Sequence, residues 1–206
     1  MKRLHYRRHS LKDGANDTIG PKGLALAEAE GQKKTKLGKH EVGDGPDAMF
    51  VNNHFARIFH GVLIRTLQTA YAFAKGLGYT PPLMPVVAEI GTPEFAAEIG
   101  TDAFKAAYKE TSNYLKATRQ AHGDEKAREF ATRVVESVIA MFNQMAEDET
   151  AVAFGHSPMI DLVVWWLYPR DVTDVSFAEM EGIVLTFEND MVEIVDTIRV
   201  TPAEAV

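Results

Sequence analysis

Residues 150–167 read TAVAFGHSPMIDLVVWWL, and this stretch decides the fold class. The apolar run at 151–154 predicts a short buried strand. The segment GHSP, residues 155–158, interrupts that run, and an apolar segment of helical composition follows. Ser157 suits the N-cap position of this helix, and Pro158 suits its first helical position. A buried strand that runs directly into a helix is typical of α/β proteins with a parallel sheet.

The rest of the chain alternates in the same way between strand patterns and helix patterns. Apolar positions within 62–77 are spaced 4, 3, 4, 3, which predicts one apolar helix face. We also predict strands over 3–8, within 48–60 and at the start of 81–91, helices over 22–31, 93–119 and 124–147, and a hairpin-like pair around 188–190. Glycines mark two expected helix boundaries, at Gly31 and near Gly100. We therefore predict an α/β three-layer sandwich with a mostly parallel central sheet, an antiparallel edge strand, and helices on both faces.

The bulk properties favour one globular domain and exclude several functions. A chain of 206 residues suits a single domain over 1–206, with a helical cap or insert at about 92–120. The net charge of −7 argues against a nucleic-acid partner. The absence of cysteine excludes a thiol nucleophile and zinc sites that need thiolate. No apolar leader opens the chain, and the apolar stretch 159–168 is too short to cross a bilayer, so we expect a cytoplasmic protein without a membrane partner.

Two histidines are placed where a shared site would form. His9 in RRHS and His156 in GHSP each follow a predicted strand and precede a serine. Loops at the carboxyl ends of parallel strands converge on one crevice, so these histidines are expected to meet. Phosphoryl transfer to histidine needs a neutral imidazole, cationic donors around the phosphoryl oxygens and a carboxyl group for proton transfer. Two histidines, two arginines and one carboxyl group would supply that chemistry without a metal.

Four segments carry a resemblance to a known family. YRRHSLKDGANDTIGPKGLALAEAEG at 6–31 resembles the opening of the histidine phosphatase superfamily, the phosphoglycerate-mutase-like proteins. VLIRTLQTAYAFAKGLG at 62–78 is similar to the family's Arg-x-x-Gln-Thr-Ala block. VVAEIG at 86–91 is similar to the segment that carries the family's acid, and AVAFGHSPMIDLVVWWL at 151–167 to the second-histidine segment. The segments occur in family order and cover most of the chain.

The resemblance implies a role for each matching residue. His9 would be the nucleophile that becomes phosphorylated, Glu89 would donate and accept the proton, and Glu94 in the same region is the alternative acid. His156 would donate to the phosphoryl oxygens. The further residues implied to bind phosphate are Arg8, Arg65, Ser10, Asn16 and Ser157. Ser10 stands where the family has glycine, so it would either crowd the phosphate or add a donor.

The expected activity is metal-independent hydrolysis of a phosphomonoester through phospho-His9, with no cofactor. The substrate is expected to be a small molecule or a protein, and the sequence leaves the oligomeric state open. Two alternatives stay open: a phosphoglycerate-type mutase with the same chemistry, and a non-catalytic module that binds a phosphorylated ligand. Taken alone, RRH would be read as a basic surface segment, and a metal pair of His5 and His9 would need a helix that the pattern does not favour.

Overall fold

A six-stranded sheet forms the centre of the computed structural model, which describes residues 1–14, 17–37, 54–85, 92–168 and 175–200. The strands are β1 (Lys2–Arg8), β2 (Phe55–His60), β3 (Leu83–Pro85), β4 (Thr150–Gly155), β5 (Gly182–Glu188) and β6 (Met191–Ile198). The helices are α1 (Pro21–Leu37), α2 (Ile64–Leu77), α3 (Pro93–Ile99), α4 (Asp102–Thr111), α5 (Tyr114–Asn143) and α6 (Met159–Leu167).

The strand order confirms the predicted α/β sandwich. The sheet runs β3-β2-β4-β1-β5-β6. The first four of these strands pair in parallel, while β5 and β6 pair antiparallel and form one edge. Apolar residues of α1 and α2 pack on one face of the sheet, and those of α3 to α6 pack on the other. Each face of the parallel centre is therefore covered by helices, as parallel strands require.

Strand β1 lies in the middle of the sheet although it is rich in charge. Leu4 and Tyr6 are fully buried against the cluster that contains α5 and α6. Arg7 alternates to the opposite face, where it is only 1% exposed. Its Nη2 donates to Glu30 Oε2 of α1 at 3.0 Å, and its guanidinium lies over the Phe73 ring of α2. A buried charge is tolerated here because it is paired across layers.

Helix α1 does not end at Gly31 but continues to Leu37, so the expected boundary is wrong. Gly31 lies where α1 crosses α2: a Cβ atom there would overlap the carbonyl oxygen of Phe73. Gly76 of α2 faces the same crossing, and a Cβ atom there would overlap the carbonyl oxygen of Glu28. The glycine at 31 therefore permits close helix packing and is not a terminator, a distinction that depends on the neighbouring helix.

We expect Gly76→Ala to destabilise the protein by about 1–3 kcal/mol or more, because the added methyl group must push α1 and α2 apart against backbone atoms. Equilibrium denaturation measured by circular dichroism would show a lower free energy of unfolding. Lys75→Ala is the matched control, since Lys75 is exposed and its ion pair with Glu28 is worth at most about 1 kcal/mol. Equal stability of wild type and Gly76→Ala would contradict the proposed crossing contact.

The helical region between β3 and β4 agrees with the predicted pattern. Helix α3 ends at Ile99, directly before Gly100, where the break is expected, and α5 contains non-helical backbone at Gly123 (φ 77°). The β5–β6 hairpin turns at Asn189 and Asp190, both with positive φ, as expected for a two-residue hairpin turn.

Among the described helices, none is long and apolar enough to span a membrane.

Candidate active site

Two parallel strands bring the two histidines together. In the pairing of β1 with β4, Arg8 lies opposite Gly155, so the next residues, His9 and His156, leave the sheet side by side. The His9 backbone N–H donates to the Gly155 carbonyl at 2.9 Å. The two imidazole centroids are 5.0 Å apart. The expected convergence at the carboxyl ends of the strands is present in the structure.

His9 is held in one tautomer. Its Nδ1 lies 2.6 Å from the Ser10 carbonyl oxygen, which can only accept, so Nδ1 carries the proton and Nε2 keeps a lone pair. The side chain is buried, and His9 is only 5% exposed. Burial, together with the positive charges of Arg65, Arg8 and Lys12, lowers the pKa of His9 to about 3 against the opposing effect of the Ser10 carbonyl. His9 is therefore neutral at physiological pH, as a nucleophile must be.

His156 has the complementary tautomer. Arg65 Nε donates to His156 Nδ1 at 3.3 Å, so Nδ1 accepts and Nε2 carries the proton. Burial lowers the pKa of His156 well below its ordinary value, and the electrostatic influence of His9, Arg65 and Arg8 acts in the same direction. Nε2 is buried without a hydrogen-bond partner in the described part of the chain. A neutral N–H group beside the nucleophile is thus available for an anionic ligand.

Arg65 reaches the histidines from the first turn of α2. Strand β2 lies next to β4 in the sheet, and this adjacency brings the start of α2 beside His156. Besides its bond to His156, Arg65 pairs through Nη1 with Asp17, a residue that the sequence interpretation missed. The α2 helix is further tied to the nucleophile loop by Thr69, whose Oγ1 accepts from the Ser10 N–H at 3.1 Å.

Arg8 directly precedes His9, and its guanidinium already contacts three protein groups. Its Nη1 donates to the Phe177 carbonyl at 2.8 Å, and its Nη2 donates to Tyr114 Oη at 3.2 Å. Nη2 also lies 3.1 Å from Glu179 Oε1. The guanidinium has five N–H groups, so these three contacts leave donors for a phosphoryl oxygen. No sequence pattern signals Tyr114 or Glu179, because both lie more than 100 residues from Arg8.

Ser10 has a different use from the one expected. Its hydroxyl donates to the Gly23 carbonyl of α1 at 2.7 Å, and the residue is fully buried. A hydroxyl has a single proton, so in this structure Ser10 has none left for a phosphoryl oxygen. The side chain points into the α1 packing instead of crowding the space next to His9. Ser10 therefore joins the nucleophile loop to α1.

The remaining candidates are placed as follows. Glu89 and Asn16 lie outside the described residues. Glu94 lies in the first turn of α3 with an exposed side chain. Ser157 follows His156, but it is not the N-cap of α6: Leu162 N–H donates to the Pro158 carbonyl, so the helix begins at Met159 with Pro158 as the capping residue. The Ser157 hydroxyl is buried near the site without a partner among the described residues.

Comparison with known proteins gives the same picture of the fold. A family model described as the histidine phosphatase superfamily (branch 1) matches residues 47–196. A phosphoserine phosphatase structure from Entamoeba histolytica has 15% identity and a TM-score of 0.63, with 97% of this chain and 98% of that chain covered. A phosphoglycerate mutase structure from Bacillus anthracis has 13% identity and a TM-score of 0.64, with coverage of 95% and 92%.

A mycobacterial glucosyl-3-phosphoglycerate phosphatase structure is also similar, at 16% identity and a TM-score of 0.60, with coverage of 96% and 98%. No curated protein matches the chain significantly. At such identities the solved structures share the fold with this chain, whereas their substrates differ from one another.

Proposed function

This chain belongs to the histidine phosphatase superfamily, and from that premise we propose that it is a metal-independent phosphomonoester hydrolase that acts through a phosphohistidine on His9. The pair of complementary tautomers carries the proposal: the His9 Nε2 lone pair and the His156 Nε2–H group belong to rings with centroids 5.0 Å apart. One ring can attack phosphorus while the other donates to a phosphoryl oxygen.

In the first step, His9 Nε2 attacks the phosphorus atom and forms the N–P bond, while the bond from phosphorus to the leaving oxygen breaks. The electron pair of that bond stays on the leaving oxygen, which takes a proton from a carboxylic acid. The Ser10 carbonyl stabilises the Nδ1–H group of His9 as positive charge develops on the ring. We assign the acid to Glu89, as the resemblance implies.

In the second step, water attacks the phosphorus atom of phospho-His9. The same carboxylate takes a proton from the water, and the N–P bond breaks with its electron pair returning to His9 Nε2. Inorganic phosphate leaves, and the enzyme returns to its starting state. Both steps pass through a transition state whose charge is spread over the equatorial phosphoryl oxygens.

The side chains around the histidines suit that charge. Arg65 and Arg8 are positive, His156 presents a neutral N–H donor, and all three are held by neighbouring groups before substrate arrives. Such preorganised donors do not need to reorient when charge develops, so they stabilise the transition state more than water does. Removal of one such donor typically lowers kcat about 10²–10³-fold.

The direct test is release of inorganic phosphate from p-nitrophenyl phosphate by the purified full chain in EDTA. Turnover in EDTA with an acid-labile phosphoenzyme supports the proposal. Isomerisation of phosphoglycerate with a bisphosphate primer, without phosphate release, would favour the mutase. Binding of vanadate with no turnover across a broad panel of phosphomonoesters would favour a non-catalytic module.

The pKa of the nucleophile predicts an unusual pH dependence. An ordinary histidine loses its nucleophilic form as pH falls through about 6.5, but His9, with a pKa of about 3, stays neutral. We therefore expect the rate of phosphoenzyme formation at saturating substrate to show no loss on lowering the pH through about 6.5 that belongs to the enzyme. Rapid-quench measurement with two aryl phosphates of different second pKa would separate substrate ionisation from enzyme ionisation. A fall in rate as the pH drops below about 6.5, seen with both substrates, would count against a neutral, buried His9.

A further inference from the structure

A cluster of buried polar groups without partners lies behind the second histidine. Asp161, in the first turn of α6, is fully buried, and neither carboxyl oxygen has a hydrogen-bond partner in the described ranges. The Ser157 Oγ and the Tyr6 Oη are buried and unpartnered in the same sense. Each such group costs about 1–3 kcal/mol of stability when it is left without a hydrogen bond, so three of them close together indicate a functional role.

The cluster is built into the site rather than scattered through the core. The Tyr6 ring packs under Gly155, where an added Cβ atom would lie 2.7 Å from Tyr6 Oη, and Gly155 directly precedes His156. Asp161 follows Ser157 by four residues, and the Ile160 N–H donates to the His156 carbonyl at 3.2 Å, so the chain from Ser157 to Asp161 makes about one turn. Arg8 follows Tyr6 by two residues on the same strand, so the two side chains leave the same face of the sheet. Asp161 thus lies among groups that adjoin both histidines.

The charge state of Asp161 is linked to these neighbours. Burial raises the pKa of the Asp161 carboxyl to about 7, while the Ser157 hydroxyl and the positive charge of Arg8 act to lower it. The Ser157 hydroxyl is close enough to Asp161 to lower the pKa of its carboxyl, although the two side chains are not aligned for a hydrogen bond. In turn, the negative charge of Asp161 adds to burial in raising the pKa of Tyr6. The carboxyl therefore changes charge close to neutral pH.

The other charged side chains on α5 and β6, which both pack against α6, lie away from Asp161. Arg119 and Arg128 of α5 approach α6, but they lie over the Trp165 ring, one turn beyond Asp161. Strand β6 packs Val192 and Ile194 against the hydrophobic cluster that contains α5 and α6. Its acidic side chains, Glu193 and Asp196, are exposed. Within the described residues, Arg8 is the charged group whose interaction with Asp161 is significant.

We propose that Asp161 is a positioning residue of this site: its protonated carboxyl leaves the remaining donors of Arg8 and the Ser157 hydroxyl available to a phosphoryl group, and its ionisation draws both back and repels the incoming dianion. The ionised carboxylate is an acceptor, so it takes the Ser157 proton that a phosphoryl oxygen would otherwise receive. It also attracts Arg8 in a medium of low dielectric constant, where the attraction is strong. The idea rests on the proposed function only in assuming that this site binds a phosphoryl group.

The sign of the pH effect follows directly. Below about pH 7 Asp161 is neutral and the anion site is complete, whereas above pH 7 ionisation opposes the anion. The affinity for a dianion should therefore fall about tenfold per pH unit above 7, because binding must then be accompanied by uptake of one proton. In turnover, KM should rise in this range while kcat changes little, because saturating substrate restores the protonated form.

The test is calorimetric binding of tungstate to the full chain from about pH 6 to about pH 9, because tungstate is a tetrahedral dianion that does not titrate there. We expect wild-type affinity to fall at least tenfold between pH 7 and pH 8.5, and that of Asp161→Asn, which is neutral and nearly isosteric, to change by less than about threefold. Asp190→Asn, in the exposed β5–β6 turn, should behave as wild type. An equal fall in wild type and Asp161→Asn would overturn the proposal.

A second measurement uses only the wild-type chain, so it holds even where Asp161→Asn fails to fold. Tungstate binding at pH 8 in buffers of different ionisation enthalpy should reveal uptake of close to one proton per bound anion. Absence of proton uptake would overturn the proposal. Neither readout needs turnover, so a chain that binds tungstate with this linkage but hydrolyses nothing would refute the phosphatase and leave the role of Asp161 intact.

Discussion

His9→Ala abolishes phosphate release, with an expected fall in kcat of at least about 10⁴-fold, because loss of a covalent nucleophile removes the route through the intermediate altogether. The methyl group of alanine cannot form the N–P bond, and His156 cannot replace it, since the Nδ1 of His156 accepts from Arg65 and its Nε2 is protonated. The measurement is steady-state phosphate release in EDTA, together with phosphoenzyme trapping by rapid quench.

The matched control is His54→Ala. His54 is exposed, stacks on Tyr79 and precedes β2, at the opposite end of the strand from the site. This variant should keep wild-type activity and form the acid-labile phosphoenzyme. Circular dichroism and thermal unfolding of His9→Ala should show that it is folded. Phosphate release by His9→Ala within tenfold of wild type would rule out His9 as the nucleophile.

Replacement of Arg7 by methionine should destabilise the protein by about 3–5 kcal/mol, since it leaves the buried Glu30 carboxylate without its buried ion-pair partner. Arg7 and Glu30 are almost completely buried, and only the half-exposed Lys33 would remain to pair with Glu30. Because burial of an unpaired charge causes the loss, Arg7→Met/Glu30→Met should recover most of it. The measurement is a double-mutant cycle: urea denaturation gives the free energy of unfolding of wild type, Arg7→Met, Glu30→Met and the double variant.

Lys33→Met controls for the exposed half of this network and should cost at most about 1 kcal/mol. The predicted effect is on stability, so Arg7→Met should retain kcat at temperatures where it is folded. A double variant as unstable as Arg7→Met would mean that lost packing of the long side chain over Phe73, and not the unpaired carboxylate, accounts for the effect.

Arg7 illustrates where interpretation of the sequence stops. It directly precedes Arg8, but strand alternation turns Arg8 toward the histidines and Arg7 toward α1. The periodicity of a strand is readable from the sequence, whereas its partner is not: Glu30 lies 23 residues away. The same limit applies to Tyr114, which contacts Arg8 across 106 residues.

Gly31 and Ser157 show a second limit, because local propensities have more than one cause. Glycine favours helix ends, but it also permits two helices to cross closely, and the structure uses it for the crossing. Serine favours the N-cap position, but α6 begins later and the Ser157 hydroxyl stays beside Asp161. In each case the residue type was informative and its context decided the outcome.

The sequence by itself predicted the alternation of strands and helices, the parallel character of the sheet, and the places of His9 and His156 after strands and of Arg65 at the start of a helix, because periodicity and turn residues are local signals. Only the tertiary structure decided the tautomers of the two histidines and the engagement of Ser10 with α1. It alone also buried Asp161 close to Ser157 and Arg8. Those properties depend on desolvation and on partners from distant parts of the chain, and neither is encoded in any single segment.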